Sequence, residues 1–200
     1  EITVVTNYES FKKLKPLGFI NYKFVEPELG NTKNGKEWRN VDRHMSYELS
    51  PYDVTIVMDI DYLPFTDNLK QFLDTKYDFL ISKNAHDLSG KKSFDLRRFS
   101  MIDMVWATVF IFRKCERTKL LFDMIKYVKK YYAYFNEMYR IQARNFRNDY
   151  AFAIALQQLN GLINYDTLPY RLPTLPPDCK VVEINDTGIA WQSGDEVNYI

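Results

Sequence analysis

The sequence has very little cysteine: Cys115 and Cys179 are the only two among 200 residues, and they lie far apart. A disulfide scaffold needs many closely spaced cysteines, and a structural zinc site needs pairs only a few residues apart. Neither pattern is present. The sequence therefore favours two free thiols in a reducing cytoplasm.

The sequence also lacks a long apolar run and an excess of charge of either sign. No stretch approaches the roughly 18 apolar residues of a membrane-spanning helix, so we expect no membrane partner and no signal peptide. The 27 basic and 26 acidic residues give a net charge of +1, which excludes a global attraction to nucleic acid or anionic lipid. A hydrophobic content of 46% is typical of a globular protein.

Short apolar runs alternate with amphipathic stretches, which indicates an α/β fold. Strands are predicted at residues 2–6, 19–25, 54–58, 78–82, 104–112 and 181–184, and helices at 11–14, 39–49, 116–134 and 150–159. Residues 27–36 and 86–99 are polar and predict loops. No repeat or linker is visible, so we predict one domain, 1–200, with a mixed, mostly parallel sheet flanked by helices.

Two carboxylates follow the most strand-like run of the chain. Val54–Met58 is apolar and largely β-branched, and it ends at Asp59-Ile60-Asp61. In open α/β sheets, ligands bind beyond the carboxyl ends of strands, and residues two apart in an extended chain point to the same side. The pair therefore favours a hard divalent cation that carries a phosphate ligand. The plain alternative is a strand-end turn with solvated acids.

Three blocks in this order carry a family resemblance. In the first, Ser46–Thr55, a helix ends at Ser-Pro-Tyr and leads into the strand before Asp59–Leu63. The second is the apolar run Trp106–Lys114, and the third is Asn148–Phe152, which reads as a helix start. Together, over about residues 40–165, they resemble GT-A type glycosyltransferases, in particular the small versions encoded by tailed bacteriophages and other viruses.

The resemblance implies a single GT-A-like (Rossmann-like) domain that transfers a sugar from a nucleotide-diphosphate donor with Mn²⁺ or Mg²⁺. Asp61 would coordinate the metal, and Asp59 would bind the metal, its water shell or the donor ribose. Asp149 would contact sugar hydroxyls or act as the catalytic base. The plain alternative for Asp149 is an acid that favours the helix dipole.

The resemblance also implies further donor contacts. Arg43 would hold a phosphate or the sugar, although a solvated arginine is the plainer interpretation. Lys91 and Lys92 would close over the diphosphate, although plain loop charges are again the simpler interpretation. Three more residues would line the sugar pocket, of which the first is also a candidate core residue: Trp106, Thr108 and Asn148.

Two features depart from the family pattern. Many GT-A enzymes take a third metal ligand from a C-terminal histidine, whereas the histidines here are His44 and His86. Either the C-terminal tail that would carry this histidine is absent, or Asp186, Asp195 or water fills that place. Residues 2–6 resemble the second strand of the fold, so we expect the first strand to be missing or short.

Other functions remain open. In an aspartyl-nucleophile phosphohydrolase, Asp59 would attack and Asp61 would be the acid/base, but that class carries its motif on the first strand. A nucleotidyltransferase would need a Gly-rich phosphate loop, which is absent near the start. Residues 113–147 carry ten Lys or Arg against three acids, with interleaved tyrosines, as in a non-enzymatic nucleic-acid-binding module.

The sequence is compatible with two classes of acceptor. The basic segment 113–147 and the phage resemblance make DNA with a hydroxymethylated base one candidate, and a glycan is the other. We expect a cytoplasmic protein, in the host cell if a phage encodes it. Oligomeric state, donor sugar and stereochemistry are not predicted.

Overall fold

The computed structural model describes residues 1–14, 18, 21–26, 31–33, 36–37, 42–74, 76–83, 85–88, 100–143, 145–162, 165–176 and 178–200. These residues form a mixed α/β fold with several small sheets. In this part of the chain, no helix has both the length and the apolar character needed to cross a membrane.

Helices are interspersed among the strands up to α5, and only strands follow it among the described residues. The strands are β1 (Thr3–Thr6), β2 (Asn21–Phe24), β3 (Thr32–Lys33), β4 (Lys36–Glu37), β5 (Val54–Met58), β6 (Phe79–Ser82), β7 (Ala85–Asp87), β8 (Trp106–Arg113), β9 (Leu172–Thr174), β10 (Lys180–Asn185), β11 (Gly188–Ser193) and β12 (Glu196–Tyr199). The α-helices are α1 (Tyr8–Leu14), α2 (Ser46–Leu49), α3 (Glu116–Lys130), α4 (Tyr132–Met138) and α5 (Asn148–Leu159), with 3-10 helices at Arg43–Met45 and Asp67–Phe72.

The central sheet has the order β5-β8-β6, and β8 runs antiparallel to both neighbours. Strand β8 is buried on both faces. Phe110 and Phe112 belong to one apolar cluster, whereas Val109 and Ile111 belong to another. This explains why the run is apolar throughout, and the predicted central position of residues 104–112 is confirmed.

The predicted mostly parallel sheet is wrong. Among the described residues, only the β1–β2 and β7–β9 pairs are parallel, and the remaining sheets are small and antiparallel. The physical reason is that an apolar, β-branched run reports burial on two faces. The run does not indicate strand direction, so the sequence of β5 is compatible with a parallel or an antiparallel neighbour.

An aromatic core lies on one face of the central sheet, between β8 and helices α3 and α5. The ring centroids of Phe110 and Phe152 are 5.0 Å apart, and those of Phe112 and Phe122 are 5.1 Å apart. Helix α5 is buried almost all round, from Tyr150 to Leu156. Because α5 packs on the sheet in this way, its first turn is fixed next to the start of β8.

A second apolar cluster covers the opposite face of the sheet. Its buried members include Leu69 and Phe72 from the Asp67–Phe72 helix and Leu168 and Leu172 from the later chain. The 3-10 helix that carries Leu69 and Phe72 begins directly after Thr66. This cluster fixes the segment that follows the Asp pair.

Several predicted boundaries change in the structure. The predicted helix 116–134 is divided into α3 and α4, and the predicted helix 39–49 is a 3-10 turn followed by α2. The predicted strand 181–184 is β10 of a separate β10-β11-β12 meander. Residues 39–41 and 89–99, with Lys91 and Lys92, lie outside the described residues, as does most of the predicted loop 27–36.

The N-terminal strand belongs to a small parallel unit. Strand β1 leads into α1 and then pairs in parallel with β2. The hydroxyl groups of Thr3 and Tyr52 are 2.8 Å apart and within hydrogen-bonding distance. This contact attaches β1 to the residues just before β5.

Buried tyrosines predict an alkaline limit to stability. Burial raises the pKa of Tyr165 and of Tyr170 to about 12, whereas an unfolded chain ionises its tyrosines near about 10. The folded chain retains protons that the unfolded chain has lost, so the free energy of unfolding should fall between about pH 10 and about pH 12. Urea unfolding at pH 8, 10 and 11 measures this loss. The variant with Tyr165→Phe and Tyr170→Phe should show a shallower loss, and an unchanged slope would refute the assignment.

Candidate functional site

The candidate site lies where β5 ends. The backbone N–H of Asp59 donates to the carbonyl oxygen of Thr108 over 3.0 Å, which extends the pairing of β5 with β8 by one residue. The N–H of Tyr62 donates to the carbonyl oxygen of Asp59, also over 3.0 Å, and closes a turn. Asp59 is therefore fixed to the sheet, whereas Asp61 lies in the turn and is exposed.

Asp59 forms an ion pair with Arg43 from the 3-10 turn before α2. The exposed fraction of the side chain is 10% for Arg43 and 28% for Asp59. Burial raises the pKa of Asp59, and the charges of Asp61 and Asp149 raise it further, whereas Arg43 lowers it. The net direction is upward. The negative charges of Asp61 and Asp149 thus disfavour the ionised form of Asp59, and a cation bound beside Asp59 would favour it.

Asp149 lies in the first turn of α5 and uses both carboxylate oxygens. Oδ1 accepts a hydrogen bond from the backbone N–H of Ala107 over 3.0 Å, and Oδ2 accepts one from Nη2 of Arg147 over 2.9 Å. Asp149 therefore ties the start of α5 to the start of β8. A carboxylate has about four acceptor sites, so the remaining ones suit a sugar hydroxyl. Arg147 is the N-cap of α5 and Asn148 is its first residue, so the helix begins two residues before the predicted start at residue 150.

The other predicted donor contacts lie on the same elements. Trp106 is half-buried and packs against both apolar clusters, which agrees with its interpretation as a core residue. Thr108 is half-buried, and its carbonyl group receives the Asp59 N–H. Asn148 is buried, with 4% of its surface exposed. Thr108 therefore adjoins Asp59 across the sheet, and Asn148 directly precedes Asp149 in the chain.

The remaining candidate metal ligands do not join this site. Asp186 and Asp195 lie in the two turns of the C-terminal meander, His86 is on β7, and His44 is buried beside Arg43 along the chain. Over the described ranges, no group of three His, Cys, Asp or Glu side chains is arranged to hold a metal ion. Of the predicted ligands, Asp59 and Asp61 are the carboxylates at the end of β5, and Mg²⁺ is often held by only one or two carboxylates.

Arg147 is a site residue that the sequence interpretation missed. It entered that interpretation only as one cation of the basic segment, yet it holds Asp149. The available signal was its position two residues before Asp149 at a helix start. Such spacing places the N-cap residue within reach of an acid in the first turn.

The positive charges of the basic segment 113–147 are engaged within the protein to a greater extent than its composition indicates. Many of its cations are paired with acids or with backbone oxygens, namely Lys114 with Ser50, Lys119 with Asp123, Lys126 with Glu48, Lys129 with Asp42 and Arg147 with Asp149. Two of the partner acids precede β5 in the chain. The charge count alone is therefore a weak reason to expect a surface that binds nucleic acid.

No family model matches the chain, and neither curated proteins nor solved structures show a significant similarity to it. The function must therefore be inferred from the geometry at the end of β5 and from the resemblance of the three sequence blocks.

The Arg43–Asp59 pair leads to a stability prediction. Arg43→Ala should lower the free energy of unfolding by about 2 kcal/mol, because it leaves a largely buried carboxylate without its partner. The figure is below that for a fully buried pair, since water reaches part of Asp59. Urea unfolding at pH 7 measures it. Arg117→Ala is the matched control: this exposed arginine binds the side chain of Asn160, and the expected change is within about 0.5 kcal/mol. Equal losses in the two variants would refute a special role for the pair.

Proposed function

We propose that the protein is a metal-dependent glycosyltransferase that moves a sugar from a nucleoside-diphosphate donor to an acceptor hydroxyl. One observation supports this most: the three blocks that resemble GT-A enzymes meet at one point. Arg43 pairs with Asp59 at the end of β5, Asp59 bonds to β8, and Asp149 at the start of α5 bonds to β8 as well. The single GT-A-like domain is part of this proposal.

The arrangement separates the tasks of the two motif carboxylates. Asp61 is exposed and available to a cation, whereas Asp59 is committed to Arg43. When bound, Mn²⁺ or Mg²⁺ would neutralise the charge that develops on the departing diphosphate. We infer that Asp59 orients the guanidinium of Arg43, so that its positive charge lies beside the site where a phosphate or the sugar would bind.

The role of Asp149 follows from its two hydrogen bonds. Arg147 and the N–H of Ala107 hold the carboxylate in one orientation. A carboxylate held in one orientation suits a hydrogen bond to a sugar hydroxyl, because its remaining lone pairs then point in fixed directions. We therefore infer that Asp149 contacts the donor sugar, in preference to acting as the base.

Calorimetric titration with a panel of nucleoside diphosphates and their sugars tests the proposal. We expect the nucleotides of one base to bind in the presence of Mn²⁺ or Mg²⁺ and not to bind in the presence of EDTA. Hydrolysis of p-nitrophenyl phosphate without nucleotide binding would instead favour the aspartyl-nucleophile phosphohydrolase. Absence of both nucleotide binding and phosphatase activity would refute enzymatic function at the Asp59/Asp61 pair.

A further inference from the structure

Four large apolar side chains are exposed next to the Asp59/Asp61 pair. The exposed fraction is 44% for Met58, 81% for Ile60, 41% for Leu63 and 38% for Phe65. We call these four residues the apolar lip. Single exposed apolar residues are ordinary, but several within eight consecutive positions indicate a contact surface.

The local fold explains why these side chains face outward. Tyr62 packs against the second apolar cluster, which contains Leu69 and Phe72, and the turn from Asp59 to Tyr62 holds this arrangement. With Tyr62 directed inward, its neighbours Ile60 and Leu63 remain exposed. The lip is therefore fixed by the packing of the cluster beneath it.

The charges around the lip restrict what can cover it. Residues 58–66 contain no Lys or Arg, and Asp59 and Asp61 interrupt the apolar side chains. Asp67 follows this stretch; its side chain is 81% exposed and pairs with that of Lys70, which is 70% exposed. A polyanion such as DNA or an anionic lipid surface would meet carboxylates here. An uncharged apolar group meets no such repulsion.

We propose that the apolar lip binds the apolar part of the acceptor, an alkyl or aryl group that carries the reacting hydroxyl or a sugar with that hydroxyl. This proposal rests on the proposed function. An acceptor hydroxyl that attacks a donor held at Asp61 must approach within a few ångströms of the donor sugar. The rest of the acceptor molecule then lies over residues 58–65.

In that reaction the acceptor oxygen forms a bond to the anomeric carbon. The bond from that carbon to the diphosphate oxygen breaks, and the nucleoside diphosphate leaves with the electron pair. The hydroxyl proton passes to solvent. No oxidant or further reactant is needed. The lip contributes only binding, by removing the apolar group of the acceptor from water.

Methionine-methyl NMR tests the lip without nucleotide or metal. The chain has six methionines; Met58 is assigned with Met58→Leu, and Met138, 49% exposed on α4, is the internal control. The probes are octyl β-D-glucoside below its critical micelle concentration and methyl β-D-glucoside. We expect only the octyl compound to shift the Met58 signal, in a saturable way, while the Met138 signal stays in place.

Variants provide the second test. The double variant Ile60→Ser, Leu63→Ser should weaken octyl glucoside binding by at least about tenfold, since about 1.4 kcal/mol of apolar contact is enough for that change. Leu120→Ser, at a residue 53% exposed on α3, is the matched control and should leave binding unchanged. Equal responses to both glucosides, equal shifts of Met58 and Met138, or a Met58 response only to duplex DNA at low salt would overturn the proposal.

The two proposals fail in different ways. If nucleotide binding is absent but the lip titration succeeds, the donor chemistry is refuted and the lip stands as a site for apolar ligands. If nucleotide binding succeeds and the Met58 signal does not respond, the lip proposal is refuted alone.

Discussion

Asp61→Ala is expected to weaken Mn²⁺-dependent binding of the nucleotide donor by about a hundredfold or more. Even residues that only orient a metal ligand contribute about 10- to 100-fold to metal affinity, and a ligand itself should contribute no less. The free energy of unfolding should barely change, because Asp61 is exposed and lies in a turn. Calorimetry with and without Mn²⁺ separates the two effects.

Asp67→Ala is the matched control for this experiment. Asp67 is an exposed acid six positions further along the chain, in the first turn of a 3-10 helix. The Asp67→Ala variant should bind the donor with the same affinity as the native protein. If both variants lose binding to the same extent, the loss reflects the general negative charge of the segment and the assignment of Asp61 as a ligand is wrong.

Phe152→Ala should destabilise the fold by about 3–5 kcal/mol, the usual range for a buried phenylalanine. Phe152 has no exposed surface, and its ring lies 5.0 Å from that of Phe110 and 6.0 Å from that of Phe122. The change leaves a cavity between α5, α3 and the central sheet. Urea unfolding measures the loss.

Two further observations check the Phe152 prediction. Tyr134→Ala, at a ring that is 63% exposed on α4, should change the free energy of unfolding by about 0.5 kcal/mol or less. Since α5 also carries Asp149, a refolded Phe152→Ala protein should bind the donor more weakly than Tyr134→Ala. A loss below about 1 kcal/mol would show that the core refills the cavity.

The sequence predicted the strands of the central sheet well but not their directions. Burial on both faces gives β5 and β8 a continuous apolar sequence, so their positions could be predicted. The direction of β8 depends on how the chain returns from β6 through residues 83–105, a stretch that is only partly described. No local property of the strand itself encodes that path.

The candidate site was predicted in part for a similar reason. The Asp59-Ile60-Asp61 motif is local and stands out directly after an apolar strand. The Arg43–Asp59 contact joins residues 16 apart across a helix, a proline and a strand, so no periodicity reveals it. Arg147 was visible only as one more cation. Its contact with Asp149 depends on where α5 begins, and helix boundaries are poorly encoded.

The basic segment shows how composition misleads. Lys126 pairs with Glu48 and Lys129 with Asp42, acids that lie 78 and 87 residues earlier in the chain. A count over residues 113–147 cannot include such partners. Only the packing of α3 beside the Arg43–Met45 turn and α2 brings these charges together.

The position of β8 between β5 and β6 also has a consequence for synthesis on the ribosome. Both earlier strands leave the exit tunnel before β8 does, and among the described pairings they bond to β8 and not to each other. Protein synthesis adds about 5–20 residues per second, so the edges of β5 and β6 remain unpaired for several seconds. The nascent chain should therefore depend on chaperone binding until residue 113 has emerged. A stalled chain that ends near residue 100 should be cleaved by protease within β5, whereas a longer one should resist.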